Sequence, residues 1–184
     1  MGFATRLRQG PGITSIGPPG VRPSVWPRWS FFEGSRMEPQ QDFKELLELF
    51  NAHGVNYLVV GAYALAFHGA PRYTGDIDLY VRLDRDNARR VVRALEQFGF
   101  GSLGLSEEDF VKPDMVVQLG VPPVRIYLIT SISGVSWDDA WTGREAGTFG
   151  SIPVHFIGKN EYIKNKAASG RTKDRADIEA LGGG

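Results

Sequence analysis

Two aspartates placed two residues apart, Asp76 and Asp78, are the side chains of this sequence best suited to chemistry. They belong to the run Asp-Ile-Asp-Leu-Tyr-Val, whose alternation predicts a strand with both carboxylates on one face and with Ile77 and Leu79 in the core. Neighbouring carboxylates repel each other unless a cation lies between them. Mg²⁺ held by one or two carboxylates and by substrate phosphates would meet that need. The pair therefore predicts a site for Mg²⁺ or Mn²⁺.

A glycine turn stands ahead of this strand. The apolar run Tyr57–Val60 ends at Gly61-Ala62, where helix-favouring residues begin, so we expect strand, tight turn and helix. A helix start presents unpaired N–H groups, and small residues there leave room for a phosphate. Arg72 and Thr74 precede the aspartates. An ordinary turn glycine and a solvated strand end would explain either feature alone, but their combination favours a metal-assisted nucleotide site.

The order of these features resembles the DNA polymerase β-type nucleotidyltransferase superfamily. The resemblance rests on the apolar strand, Gly-Ala, a helix, His-Gly, Pro-Arg, Thr74 and Asp-Ile-Asp-Leu. More narrowly, the chain is similar to small prokaryotic nucleotidyltransferase-like proteins related to the AbiEii toxin and to minimal nucleotidyltransferases. The similarity runs over about residues 43–181.

The resemblance implies an α/β (α+β) fold, with a mixed β-sheet and helices packed against it. It implies that Gly61 and Ala62 contact a nucleoside triphosphate (NTP), and that Asp76 and Asp78 are catalytic and bind the divalent metal ions. The implied reaction moves a nucleoside monophosphate onto a hydroxyl and releases pyrophosphate. An RNA end, a small molecule or a protein side chain is the expected acceptor, in a toxin–antitoxin setting among others.

One position departs from that pattern. The family's later strand supplies a third carboxylate, and here Tyr127 stands at the corresponding place in Val-Arg-Ile-Tyr-Leu-Ile. A phenol with a pKa of about 10 is neutral at pH 7 and does not replace an anionic ligand. The alternative interpretation is therefore an impaired member of the family that binds a nucleotide or a partner without turnover.

Basic residues near the C-terminus form a second group of candidates. Lys166, Arg171 and Lys173 could clamp a triphosphate, with Asp174 and Asp177 moderating their charge. The spacing is similar to the family's Lys-x₄-Arg-x-Lys-Asp-x-x-Asp tail. An exposed helix with a Lys173–Asp177 ion pair is the alternative, and the two interpretations are about equally supported. We therefore expect Arg72, Thr74, Lys166, Arg171 and Lys173 to join the glycine turn in binding the nucleotide.

Composition limits the other possibilities. The 184 residues suit one domain with a substantial core, and 42% are hydrophobic. The 21 basic and 21 acidic residues cancel, so a long nucleic-acid footprint is not indicated. The absence of cysteine excludes disulfides and thiolate chemistry and fits the cytoplasm. No apolar run is long enough for a membrane span, and three distant histidines do not suggest zinc.

The first 36 residues differ from the rest. They are rich in Pro, Gly and Arg and have no acidic residue before Glu33, so we expect disorder over residues 1–36 and a folded domain over residues 37–184. A basic arm, a targeting peptide and a natural start at Met37 are the alternatives. In the domain we expect helices from Asp42, from Asp84, near residues 137–141 and on both sides of Gly170. Further strands are expected near residues 115–119, 124–130 and 152–157.

Overall fold

The computed structural model describes residues 4–8, 41–121 and 124–183. Within those residues, no helix is long and apolar enough to cross a membrane. The strands are β1 (Ala4–Arg8), β2 (Tyr57–Val60), β3 (Asp76–Val81), β4 (Met115–Val121), β5 (Val124–Ile129), β6 (Glu145–Phe149) and β7 (Ile152–Phe156). The helices are α1 (Gln41–Ala52), α2 (Gly61–Phe67), α3 (Arg85–Leu95), α4 (Trp137–Thr142), α5 (Lys159–Ser169) and α6 (Thr172–Ala180).

The strands of the described residues form a single mixed sheet in the order β1-β4-β5-β3-β2-β7-β6. Strand β3 lies at its centre, antiparallel to β2 and parallel to β5. Parallel strands need a long crossover connection, and here the chain between β3 and β5 contains α3 and strand β4. The expected α/β fold with a mixed sheet is confirmed.

The hydrophobic core joins the sheet to helices α1 and α3. In α1, four apolar side chains at helical spacing are fully buried: Phe43, Leu46, Leu47 and Phe50. Helix α3 begins where Asp84 accepts a hydrogen bond from the backbone N–H of Asn87, which confirms the helix start expected at Asp84. In β3, Ile77 and Leu79 are also fully buried, as their alternation with the aspartates predicted.

Two strands differ from the sequence-based expectation. Strand β1 lies within the segment expected to be disordered, and it pairs antiparallel with β4, so disorder does not describe Ala4–Arg8. The other residues of that segment lie outside the described residues. Strand β6, Glu-Ala-Gly-Thr-Phe, was not predicted because its residues are mostly small or polar. It forms the sheet edge beside β7, and pairing with β7 stabilises a strand whose own sequence has a low strand propensity.

Two arginines on α3 pair with neighbouring carboxylates, which is consistent with a solvated helix face. Arg85 pairs with Glu107 and Glu108, and Arg89 pairs with Asp86 and Glu107. At the end of α2, His68 lies against the backbone oxygen of Ile157 at 2.8 Å. Its ring therefore ties the end of α2 to the residue that follows β7.

Candidate active site

An open cleft of about 780 Å³ lies between the polar face of the central strands and helices α5 and α6. Every predicted site residue lines this cleft: Gly61, Ala62, Arg72, Thr74, Asp76, Asp78, Tyr127, Lys166, Arg171 and Lys173. The same cleft is lined by residues that the sequence did not single out, among them Val116, Ile129, Ser131, Ser133 and Asn165. The fold thus brings together groups that are up to about a hundred residues apart in the chain.

The two aspartates occupy the positions that their alternation predicted. Asp76 and Asp78 are partly buried on the cleft side of β3, while Ile77 and Leu79 between and after them face the core. Thr74 fixes the start of the strand, because its hydroxyl accepts from the backbone N–H of Asp76 at 3.1 Å and donates to the Asp76 carbonyl at 3.0 Å. In this structure Thr74 therefore positions Asp76 as well as lining the cleft.

Gly61 lies directly against Asp78. Its φ angle is 63°, in the left-handed region that favours glycine. A Cβ atom at this position would be 2.0 Å from Oδ2 of Asp78, far inside contact distance. The glycine is therefore required by the neighbouring carboxylate, in addition to any approach of a phosphate to the turn at Gly61-Ala62. That contact couples the glycine turn to the aspartate pair.

The electrostatic surroundings of Asp78 are mixed. Burial raises the pKa of its carboxyl above the ordinary value, and the charge of Asp76 adds to that rise. Three cations, Lys166, Lys173 and Arg72, act in the opposite direction and lower the pKa. The carboxylate thus lies in a position where a further positive charge would stabilise its ionised form.

Arg125 and Tyr127 lie beside the aspartates on strand β5. The parallel register places Arg125 opposite Asp76 and Tyr127 opposite Asp78, so the four residues share one face of the sheet. Arg125 Nε donates to Oδ1 of Asp76 at 3.1 Å. Burial raises the pKa of Tyr127, with Asp76 and Asp78 adding to the rise and Arg125 opposing it, so the phenol is neutral at pH 7. The face therefore carries two carboxylates, one guanidinium and one phenol.

Lys166 is held by carboxylates rather than directed freely into the cleft. Its ammonium lies 2.8 Å from Asp174 and 3.2 Å from Asp177, and the side chain is only 6% exposed. Tyr162 donates a hydrogen bond to Asp177 in the same buried cluster. The sequence predicts that Lys166 helps to clamp a triphosphate. The geometry gives it in addition a structural role between α5 and α6, beside its electrostatic effect on Asp78.

Of the other cations expected to bind phosphate, two are paired with carboxylates and one is not. Arg171 donates to Asp174 at 2.7 Å, and Arg72 donates to Asp177 at 3.2 Å, although both guanidinium groups stay partly exposed. Lys173 is exposed, and within the described part of the chain it forms no ion pair; the alternative pair with Asp177 is absent there. Lys173 is thus the cation best placed to meet an incoming anion.

Asp76 and Asp78 are the two carboxylates with which the described residues of the cleft could hold a divalent ion. Over residues 4–8, 41–121 and 124–183, no group of three or more histidine, cysteine or acidic residues could hold a metal. The repulsion between Asp76 and Asp78, and the space that Gly61 leaves at Asp78, fit an ion whose remaining ligands are phosphate oxygens and water. Asp76 and Asp78 would therefore be the protein ligands of Mg²⁺ or Mn²⁺ in a complex with a nucleotide.

Arg125 is the functional candidate that sequence reasoning missed. It precedes Tyr127 by two residues, and the period of a strand places both on the same face. The spacing of these two residues is visible in the sequence. Whether Arg125 lies beside Asp76 depends on the register between β3 and β5, which a single sequence does not reveal.

Comparison with solved structures supports the fold. None of the protein-family models matches the sequence, and no curated protein matches it either. Among solved structures, a protein from Thermotoga maritima, provisionally classed as a nucleotidyltransferase, has a TM-score of 0.50 and 14% identity over 74% of this chain and 88% of its own. The lincosamide antibiotic adenylyltransferase LnuA, with lincomycin bound, has a TM-score of 0.51 and 14% identity over 78% and 96%. The chain therefore has the nucleotidyltransferase fold.

Proposed function

We propose that this protein is a metal-dependent nucleotidyltransferase that moves a nucleoside monophosphate from an NTP to a hydroxyl group. The observation that carries the proposal is the pair Asp76 and Asp78 on one strand face inside an open cleft, with Asp78 against the Gly61 turn. The fold, shared with nucleotidyltransferases of known structure, supports the same conclusion. The sequence resemblance to AbiEii-related and minimal nucleotidyltransferases adds a toxin–antitoxin setting to the proposal.

The side chains would divide the work between binding and positioning. Asp76 and Asp78 would hold Mg²⁺ or Mn²⁺, which supplies charge stabilisation for the departing pyrophosphate. Lys173 would meet the triphosphate at the outer side of the cleft, and the turn at Gly61-Ala62 would approach it from the start of α2. Thr74 keeps Asp76 in place through its two backbone hydrogen bonds.

The transfer itself forms a bond between the acceptor oxygen and the α-phosphorus. The bond from that phosphorus to the bridging oxygen breaks, and pyrophosphate leaves with the electron pair. The hydroxyl proton passes to solvent through the open cleft, because Tyr127 is already protonated at neutral pH and cannot accept it.

A second candidate function is nucleotide or partner binding without turnover. The observation in its favour is Tyr127, which lies opposite Asp78 where the family resemblance leads us to expect a carboxylate. In this case the cleft would still bind a metal–nucleotide complex, and the chemical step would be slow or absent.

Labelled transfer separates the two candidates. The protein is incubated with each α-³²P-labelled NTP, Mg²⁺ or Mn²⁺, and acceptors of three classes: RNA with a free 3′ hydroxyl, small hydroxylated molecules, and protein. Label transfer to one class that is lost in Asp78→Asn would support the transferase. If nucleotide binds but no label is transferred to any of them, the binding function is favoured.

A further inference from the structure

The ion pair between Arg125 and Asp76 alters the charge of the candidate metal site. Arg125 is 33% exposed and Asp76 is 28% exposed, so this is a half-buried pair with less screening than one at the surface. Its Nε–Oδ1 distance of 3.1 Å is that of a charged hydrogen bond. Arginine remains protonated at every relevant pH. A permanent positive charge therefore lies next to Asp76, one of the two expected metal ligands.

We propose that Arg125 takes the place of a second divalent ion, so that the site binds one metal ion per nucleotide. The proposal rests on the function proposed above, in which Asp76 and Asp78 bind a metal–nucleotide complex. In a two-metal site, the second ion needs a further carboxylate and a free side of the shared aspartates. This chain offers a guanidinium and a phenol there instead.

The strand register explains why the Arg125 guanidinium and the Tyr127 phenol act at the same place. Arg125 is opposite Asp76, Tyr127 is opposite Asp78, and the Arg125 guanidinium lies 5.8 Å from the centre of the Tyr127 ring. A divalent ion on the β5 side of the aspartates would lie close to that guanidinium and be repelled by it. Arg125 already supplies a positive charge beside Asp76. The neutral phenol of Tyr127 adds no negative charge that would attract a second cation.

The charge of Arg125 has a consequence for restoring a third carboxylate. In Tyr127→Asp, the new carboxylate would lie on the same face as Arg125, two residues along the same strand. The guanidinium could then pair with the new group as well as with Asp76. One substitution would therefore not create a second metal site, whereas removing the guanidinium together with the phenol would.

The test counts bound Mn²⁺. Free Mn²⁺ is measured by electron paramagnetic resonance at a saturating concentration of an α,β-methylene NTP, which binds but does not react. We expect one protein-bound Mn²⁺ per bound nucleotide in the wild-type protein and in Tyr127→Asp, and two in Arg125→Met/Tyr127→Asp. The variant Arg125→Lys/Tyr127→Asp keeps the positive charge and should return the count to one. Circular dichroism and nucleotide affinity verify that each variant is folded.

The possible results separate the two proposals. Two Mn²⁺ ions per nucleotide in the wild-type protein would overturn the role of Arg125 and leave the proposed function intact. A second ion in Tyr127→Asp alone, or a single ion in a folded Arg125→Met/Tyr127→Asp protein, would also overturn it. A wild-type protein that binds neither Mn²⁺ nor the nucleotide would instead remove the proposed function, and the inference with it.

Discussion

The contact between Gly61 and Asp78 is the most specific feature of the site at the scale of single residues. The glycine adopts a left-handed conformation, and its missing side chain leaves the space that Oδ2 of Asp78 requires. A turn glycine would need only the first property. The second property, the space left for Asp78, links the glycine to the carboxylate. A substitution of Gly61 therefore disturbs the site without changing its charge.

Substitution of Gly61 by alanine should therefore reduce metal–nucleotide binding. Gly54 is the matched control, because its φ of 65° is nearly the same and an added Cβ would meet nothing within 4 Å. Both variants should lose about 1 kcal/mol of unfolding free energy through backbone strain. Calorimetric titration with Mn²⁺ and an unreactive NTP analogue should show at least about a tenfold weaker affinity, equal to about 1.4 kcal/mol, for Gly61→Ala alone. Equal affinities in the two variants would refute the role assigned to Gly61.

Single residues also show what could be predicted from the sequence. The alternation of Asp-Ile-Asp-Leu was enough to place both aspartates on one face and the aliphatic residues in the core, because a strand has a fixed period of two. The partner of Asp76 could not be predicted in that way. It depends on which residue of β5 lies opposite, and a shift of one residue would have placed Arg125 on the other face.

At the scale of elements, helices α5 and α6 are joined by buried charges. Lys166 on α5 pairs with Asp174 and Asp177 on α6, and both aspartates are almost fully buried. Arg171 and Arg72 complete the cluster from its exposed side. The basic residues of this segment suggested phosphate binding, and the acidic ones were expected only to moderate them. The fold pairs them because the turn at Gly170 returns α6 along α5.

Removal of the Lys166 charge should destabilise the protein. We expect Lys166→Met to lower the unfolding free energy by about 3 kcal/mol, because it leaves buried carboxylates short of a partner. Lys164→Met on the same helix is the control. Lys164 is 63% exposed and lies 3.9 Å from Glu161, so its loss should cost less than about 1 kcal/mol. Urea unfolding measures both. A Lys166→Met protein of normal stability but weak nucleotide binding would favour the original interpretation of Lys166 as a phosphate ligand.

The same cluster predicts a dependence of stability on pH. Burial alone would raise the pKa of Asp174, but hydrogen bonds from Lys166 and Arg171 outweigh it and hold the pKa well below its usual range. The unfolded value is about 3.9, so the stabilisation is complete above that pH and is lost as the pH falls toward the lower folded value. Urea unfolding between about pH 6 and about pH 3 should show this decline. The decline should be shallower in Asp174→Asn, and an unchanged slope in that variant would contradict the assignment.

Elements that depend on their neighbours were the ones that the sequence did not reveal. The α1, α3 and β3 patterns are strongly periodic, and each was confirmed. Strands β1 and β6 lie at the two edges of the sheet among the described residues, and neither has a clear alternation of apolar residues. Edge strands gain much of their order from pairing with one neighbour, and local sequence does not contain that information.

At the scale of the whole molecule, the cleft depends on the centre of the sheet and not on its edges. The candidate ligands lie on β3 and β5, on the helices that face them and in the loops next to these elements, whereas β1 is separated from β5 by β4. Deletion of residues 1–36 should therefore leave the affinity for Mn²⁺ and an NTP analogue unchanged within about twofold, which corresponds to about 0.4 kcal/mol. Calorimetric titration of the shortened and full chains checks this, and a loss of about tenfold or more would place part of the site in the N-terminal segment.

The melting temperature in the presence of nucleotides tests the central claim most directly, because it needs no knowledge of the acceptor. Each of the four NTPs is added with and without Mg²⁺ or Mn²⁺, to the wild-type protein and to Asp78→Asn. A ligand at about 100 times its Kd adds about 2.7 kcal/mol of stability. We predict a shift with at least one NTP that requires the metal and disappears in Asp78→Asn. The absence of any shift in the wild-type protein would contradict a nucleotide site in this cleft.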